Sequence, residues 1–449
     1  MSLQSNVWAI AGKWVSTIAG ALHSVLTVVV FLLLDLLDTV FCLIYRFIDE
    51  YLEGKRKKPC YCEKRDGNGR TTGEIQLSET MWGRRNVFRL MGARLPSKRL
   101  KLQPVDCKKS SDDCGTTAGR WSDCRCESCF SWTRNGDGRK LHVVVREPSS
   151  SAAGSGESTE NVIFVHGFLA SSSYWTETVF PNLSKNQNYR MFAIDLLGFG
   201  ESPKPMDCLY TLQDHLQTIE DSVVKPFQLT SFHIVAHSMG CIIALALAAK
   251  YSGYVKSITL VAPPYLARSE EEESSLRALE KIAKKRLWPP LMFGAALMSW
   301  YEHLGRCICF LVCRHHRAWE KLLMLLTRSR NVHFMLRDLT RHTHHSAWHT
   351  MHNVICGGAR CMDEFLEMVS RSGAKVFVVH GDQDPVVPLQ CSVNMKRKFW
   401  DNDKQLTLDV VWNADHTSVI MGREKEFTRR LEHIWKESSG SCPPYSLQL

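Results

Sequence analysis

The chain has 449 residues, of which 44% are hydrophobic and 23% charged. This excludes a wholly disordered, collagenous or polytopic membrane protein and leaves enough apolar material for one large core. The formal charge of +10 is concentrated. Sixteen Lys and Arg and five Asp and Glu fall between Lys55 and Lys109, so the rest of the chain is close to neutral. A nucleic-acid enzyme would carry its basic charge on the folded body, so nucleic acid is not an expected partner.

In chain order, the first feature is a run of 21 residues without formal charge between Lys13 and Asp35, densest at VLTVVVFLLL (Val25–Leu34). That length can cross a hydrocarbon core of about 30 Å. No amphipathic stripe marks it as a core helix, and no small-x-small cleavage site follows at once. Residues 1–53 are read as a signal or membrane-anchor segment. Arg46 and Lys55–Lys58 follow the run and only Lys13 precedes it, which by the positive-inside rule favours a cytosolic remainder. Seventeen cysteines and the Asn-x-Ser sequon at Asn182 lean toward an extracellular one.

Residues 54–118 read as a basic, Cys-containing linker. Either it is a solvated spacer, or its stretch 55–109 attaches to a membrane surface or to acidic cell-wall polysaccharide. Seven cysteines lie between Cys60 and Cys129: Cys60, Cys62, Cys107, Cys114, Cys124, Cys126 and Cys129. Disulfides or free thiols are the expected state. Zinc held by Cys124, Cys126, Cys129 and a distant Cys is the alternative, but C-x-C-x-x-C is not a paired-knuckle spacing, and no metal site is assigned.

From residue 119 to 449 the pattern is that of one α/β domain. FSWTRNGDGRKLHVVVREP reads as two strands around an Asn-Gly-Asp-Gly turn. NVIFVHG, RMFAIDLLGFG, SFHIVAHSMG, VKSITLVAPP, AKVFVVHGDQDPVVP and QLTLDVVWNADH are short apolar runs interleaved with helical stretches. Such runs imply a mostly parallel central sheet with helices on both faces. SSSAAGSGESTE at 149–160 is a flexible loop inside the domain. Between about 265 and 360 the strand pattern stops, and a helical insertion is expected to cover the sheet's C-terminal edge as a lid.

Ala236-His237-Ser238-Met239-Gly240 sits where a strand passes into a helix and fits G-x-S-x-G with Ala in the first position. Small flanking residues are required because the turn that exposes the serine is strained. The following helix start offers backbone N–H groups to an oxyanion. A nucleophilic Ser238 needs a base and an orienting acid, in the chain order Ser, Asp, His. Asp384 and His416 follow the last two strand patterns and supply them. Asp382 and Asp415 compete less well for the acid. The oxyanion donors are the amides of Met239 and Phe168, with Leu169 as substitute for the latter. His166 and His237 are read as structural. This chemistry calls for no cofactor. His345 and His349, one helical turn apart in the lid, lack the H-E-x-x-H pattern of a metal site.

HGF after a strand, DLLGFGES, AHSMG, GDQDPVVP and ADH together resemble the α/β-hydrolase superfamily over about 120–437. LHVVVREP, VHGFLASSSYWTETVFPNLS and FHIVAHSMGCIIALALAAKY, with the apolar N-terminus and the basic segment, resemble plant BODYGUARD-type hydrolases over nearly the whole chain. That group is associated with the outer epidermal wall and cuticle, and its members are described as probable lysophospholipases or cutin-forming acyl transferases. The resemblance implies Ser238 as nucleophile, His416 as base, Asp384 as acid and a lipid or cutin-monomer ester as substrate. It also implies a catalytic domain that is secreted to the wall or anchored outside the plasma membrane. The alternatives are lysophospholipase action in membrane lipid turnover, or a lipid-ligand receptor or scaffold that keeps the fold.

Overall fold

The computed structural model describes residues 2–53, 120–134, 140–148, 159–184, 188–265, 300–399 and 405–439. The linker from 54 to 118, most of the 149–160 loop and the lid centre at 266–299 lie outside the described residues.

Seven strands form one sheet: β1 (Val143–Arg146), β2 (Glu160–Val165), β3 (Tyr189–Ile194), β4 (Phe232–His237), β5 (Val255–Val261), β6 (Lys375–Gly381) and β7 (Leu406–Val411). Their spatial order is β1-β3-β2-β4-β5-β6-β7. Only β1 runs antiparallel, pairing with β3 from Val143 opposite Ile194 to Arg146 opposite Met191. Every residue of β4 is buried, as expected of a strand covered on both faces. β2 lies between β3 and β4, so successive crossovers leave it in opposite directions. This opens a crevice at the C-terminal ends of β2 and β4.

Two apolar layers enclose the sheet. On one face lie α3 (Leu212–Ile219) and α4 (Gly240–Lys250). A capping box between Thr211 and Asp214 starts α3. Ten consecutive residues of α4, Gly240 to Ala249, are buried, so this helix is apolar all round. The other face packs Phe164, Trp175, Phe180 and Trp435 together.

The expected hairpin is corrected. FSWTR belongs to helix α2 (Glu127–Arg134), and β1 takes its partner from β3. Glu127 in the first turn favours the helix start. The helix also places Cys129 with Cys126 against His316, a long-range contact that local alternation does not reveal.

The insertion before β6 is helical. It includes Glu302–Leu311, His316–Thr327, Phe334–Asp338 and His344–Thr350. Phe199, on the loop after β3, bridges to His342 and ties the insertion to the sheet's C-terminal edge.

The N-terminal helix, α1 (Ser2–Glu53), docks on this insertion with Leu34, Asp35, Asp38, Cys42 and Tyr45 buried along one stripe. The Asp38 carboxylate accepts the His303 amide at 3.0 Å, at the start of Glu302–Leu311, where a helix favours negative charge. Arg306 donates two bonds of 2.7 Å to Asp49 and lies 4.4 Å over the Tyr45 ring. The opposite face of α1 leaves Leu33, Leu36, Leu37, Leu43 and Phe47 exposed.

Candidate active site

β4 ends at His237 and α4 begins at Gly240, so Ser238 occupies the sharp turn between them. Its φ of 53° is left-handed, a conformation that costs an L-residue roughly 1–2 kcal/mol. The turn is held because the Ser238 amide donates to the Val261 carbonyl of the adjacent strand at 2.8 Å, and the Cys241 amide donates to the Ser238 carbonyl. Ala236, the departure from Gly in the motif, is fully buried and sits in register opposite Leu260.

Asp384 follows β6 and His416 follows β7, and both reach Ser238. His416 Nε2 stands 2.9 Å from Ser238 Oγ, and His416 Nδ1 stands 2.7 Å from Asp384 Oδ2. The other oxygen of Asp384 accepts the Val386 and Val387 amides, each at 2.8 Å. Burial would raise the Asp384 carboxyl. The neighbouring His380 and His416 imidazoles outweigh it, and the carboxyl is held well below the usual carboxylate range. His416 therefore faces an ionised acid with Nδ1–H directed at it, leaving Nε2 to accept the serine proton.

The competing acids are used elsewhere. Asp382 accepts the Ala414 amide at 3.3 Å, and Asp415 accepts the Thr417 and Ser418 amides in an exposed turn.

Phe168 and Met239 lie on the loop after β2 and at the start of α4. Among the described residues, neither amide donates to a protein acceptor. Leu169 has a φ of 57°, which shapes the turn behind Phe168. A Cβ on Gly167 would stand 3.2 Å from Ser238 Cβ, so glycine lets this loop approach the serine.

Two histidines do more than fill the turn. The Leu196 amide donates to His166 Nε2 at 2.9 Å, which fixes the neutral ring with Nδ1–H donating to the Gly167 carbonyl at 2.7 Å. His166 thus fastens the loop that carries Phe168. His237 Nε2 donates to the His416 carbonyl at 3.0 Å, and its ring stacks on Tyr174. Burial, helped by the neighbouring His416 ring, pushes His237 down to about 3, so it stays neutral. Their positions beside the motifs signalled proximity, but their partners come from distant loops.

The remaining sequence candidates fall elsewhere. His345 gives Nε2 to the Cys208 carbonyl at 2.9 Å, with His349 stacked edge-on against it. At the sequon, Asn182 donates to the Thr178 carbonyl and Ser184 to Glu432. Cys124, Cys126 and Cys129 converge on His316 rather than on another cysteine.

The arrangement places a hydroxyl, an imidazole and a carboxylate in one hydrogen-bonded line, the set that an acyl transfer requires. A model of the alpha/beta hydrolase fold matches residues 160–289. The chain is 53% identical to "Probable lysophospholipase BODYGUARD 4" of Arabidopsis thaliana, covering 92% of this chain and 97% of the relative. It is 48% identical to "Probable lysophospholipase BODYGUARD 5" of the same plant, covering 91% and 94%. Among solved structures, a carboxylesterase of Nitrososphaera gargenis aligns at TM-score 0.45 and 18% identity, covering 68% of this chain and 97% of that one.

Proposed function

The chain belongs to the BODYGUARD family, α/β hydrolases of the esterase class, and we propose that it cleaves or transfers lipid acyl esters through Ser238, His416 and Asp384. The supporting observation is the continuous relay from Ser238 Oγ through His416 to Asp384, at 2.9 and 2.7 Å. Ser238 Oγ attacks the ester carbonyl while His416 Nε2 takes its proton. The Phe168 and Met239 amides hold the oxyanion. His416 then returns the proton to the departing alcohol, leaving an acyl-enzyme. Water resolves it in hydrolysis, and a hydroxy-acyl alcohol resolves it in transfer.

The relatives' names bring lysophospholipids into the substrate class. Resemblance to wall-associated family members supports a role in cutin and cuticle formation, with the catalytic domain outside the plasma membrane. α1 suits an anchor, since the most apolar 18-residue window of Val28–Glu53 has a mean hydropathy of 2.4 and Leu33, Leu36, Leu37, Leu43 and Phe47 are exposed. Flotation with phospholipid vesicles that is lost on removing residues 1–53 would support this. A chain that floats equally without them would refute it.

The direct test is fluorophosphonate labelling and phenyl-ester turnover of the intact protein beside Ser238→Ala. Both signals are expected to vanish in the variant. Folded intact protein that neither labels nor turns over would remove the catalytic reading and leave a ligand-binding hydrolase fold.

A further inference from the structure

Away from Ser238, three sulfurs and one imidazole meet at the boundary between residues 120–134 and the lid. Cys124, Cys126 and Cys129 come from the short segment before β1, and His316 opens the lid helix His316–Thr327. Their four ligand atoms all lie within 4.8 Å of one another. Cys126 Sγ and Cys129 Sγ are each 3.4 Å from His316 Nε2. A tetrahedral ion with metal–sulfur bonds of about 2.3 Å and a metal–nitrogen bond of about 2.0 Å has sulfur–nitrogen edges of about 3.5 Å.

The surroundings suit such an ion. His316 Nδ1 donates to Glu320 Oε1 at 3.0 Å, one turn along the same helix. That bond turns the Nε2 lone pair toward the sulfurs and repeats the carboxylate–histidine–metal arrangement found around zinc. The Cys126 amide points at Cys124 Sγ at 3.5 Å. Arg317, next to His316 and bonded to Ser128 Oγ, brings positive charge to a set that carries one net negative charge with three thiolates and a divalent ion. Cys129 and His316 are buried. One disulfide could use only two of the three sulfurs and would leave the imidazole facing the third.

We infer that Cys124, Cys126, Cys129 and His316 form a closed structural zinc site that staples the segment before β1 to the lid. All four tetrahedral positions are filled by protein, so the ion has no open position for substrate and its role is to hold shape. Its location explains its use. Trp121 donates to Asp49 of α1 at 2.5 Å, and Asp49 in turn pairs with Arg306 of the lid. Fixing this segment fixes the junction of α1 with the lid. A second group, Cys309, Cys313 and His342, has sulfur–nitrogen distances of 3.6 Å but only three ligands among the described residues, and we assign it no site.

The test is elemental analysis of the full chain purified without chelator, beside Cys126→Ser, His316→Ala and Cys309→Ser. Wild type is expected to carry zinc. Cys126→Ser and His316→Ala should each lose about one equivalent per chain, and Cys309→Ser should keep that equivalent. Zinc-free wild type, or zinc lost with Cys309 and kept without Cys126, overturns the assignment. Should the variants fail to fold, wild type alone decides. Cys124, Cys126 and Cys129 should resist alkylation until chelator is added, and replacement by Co(II) should give the visible bands of a tetrahedral thiolate site. Alkylation indifferent to chelator, or a disulfide among the three, overturns it.

Discussion

At Gly240 a Cβ would stand 2.5 Å from the His166 carbonyl oxygen and 2.8 Å from that of Val165, both backbone atoms. Nothing there can swing aside, so Gly240→Ala must push α4 away from the end of β2. The expected cost is about 1–3 kcal/mol, read as a lower thermal midpoint together with slower fluorophosphonate labelling. Asp384→Asn keeps the shape but reverses the tautomer preference of His416. In serine proteases the matching change costs about 10⁴-fold in kcat, and a loss of that order is expected in ester turnover. His237 acts through His416. His237→Leu removes the bond to the His416 carbonyl and should slow labelling by up to about 10²-fold, while His237→Gln should recover most of the rate because it can still donate. Equal loss in both variants would reduce His237 to a packing role. Ser238, Asp384 and His416 were legible because each sits in a short motif at a strand end. His166 and His237 were read as structural, but their partners were not legible, since a hydrogen bond to Gly167 or to His416 has no imprint in the local pattern.

At the scale of elements, apolar run length read the sheet well because the central strands are buried on both faces and punctuated by turns. It failed at FSWTR, where alternation over five residues suits a strand or a helix and a distant histidine decides. The same distance hid His316, which lies 187 residues from Cys129. α1 shows another limit. Its composition signals lipid, and nothing in it predicts that Asp38 and Asp49 would find His303 and Arg306 on the lid. That docking has a consequence for stability. Arg306 is nearly fully buried, with its guanidinium bonded to Asp49 and to Ser122. Removing one partner of such a pair costs about 3–5 kcal/mol. Asp49→Ala is therefore expected to destabilise the α1–lid junction. Limited proteolysis should cut between 120 and 134 or within the lid while leaving the sheet intact. Unchanged cleavage would mean that the pair contributes little.

For the whole molecule, histidine burial sets the response to acid. Burial pushes His215 down to about 4, His237 to about 3 and His349 to about 2, and lowers His166, His233 and His344 as well. Unfolded, each would titrate near about 6.5. Below that pH the unfolded chain binds protons that the folded chain refuses, so stability is complete above about 6.5 and declines as pH falls toward the folded values. Each such group costs about 1.4 kcal/mol per pH unit over that window, or about 2 kcal/mol between pH 7 and 5. Three of them reach about 6 kcal/mol, the order of a domain's entire stability. His142 opposes the trend. Its bond to Asp195 raises it, so its contribution is present in acid and lost as pH rises through its folded value. His215 offers the cleanest test, because among the described residues neither of its buried ring nitrogens has a hydrogen-bond partner. His215→Phe removes both an unsatisfied polar group and a titrating one, so it should be neutral or stabilising at pH 7. Urea midpoints of the Ser238→Ala protein with and without His215→Phe, measured from pH 7.5 to 5, should diverge as pH falls, by about 2 kcal/mol at pH 5. Parallel curves would mean that His215 is paired or hydrated in solution and that the acid response originates in the other histidines.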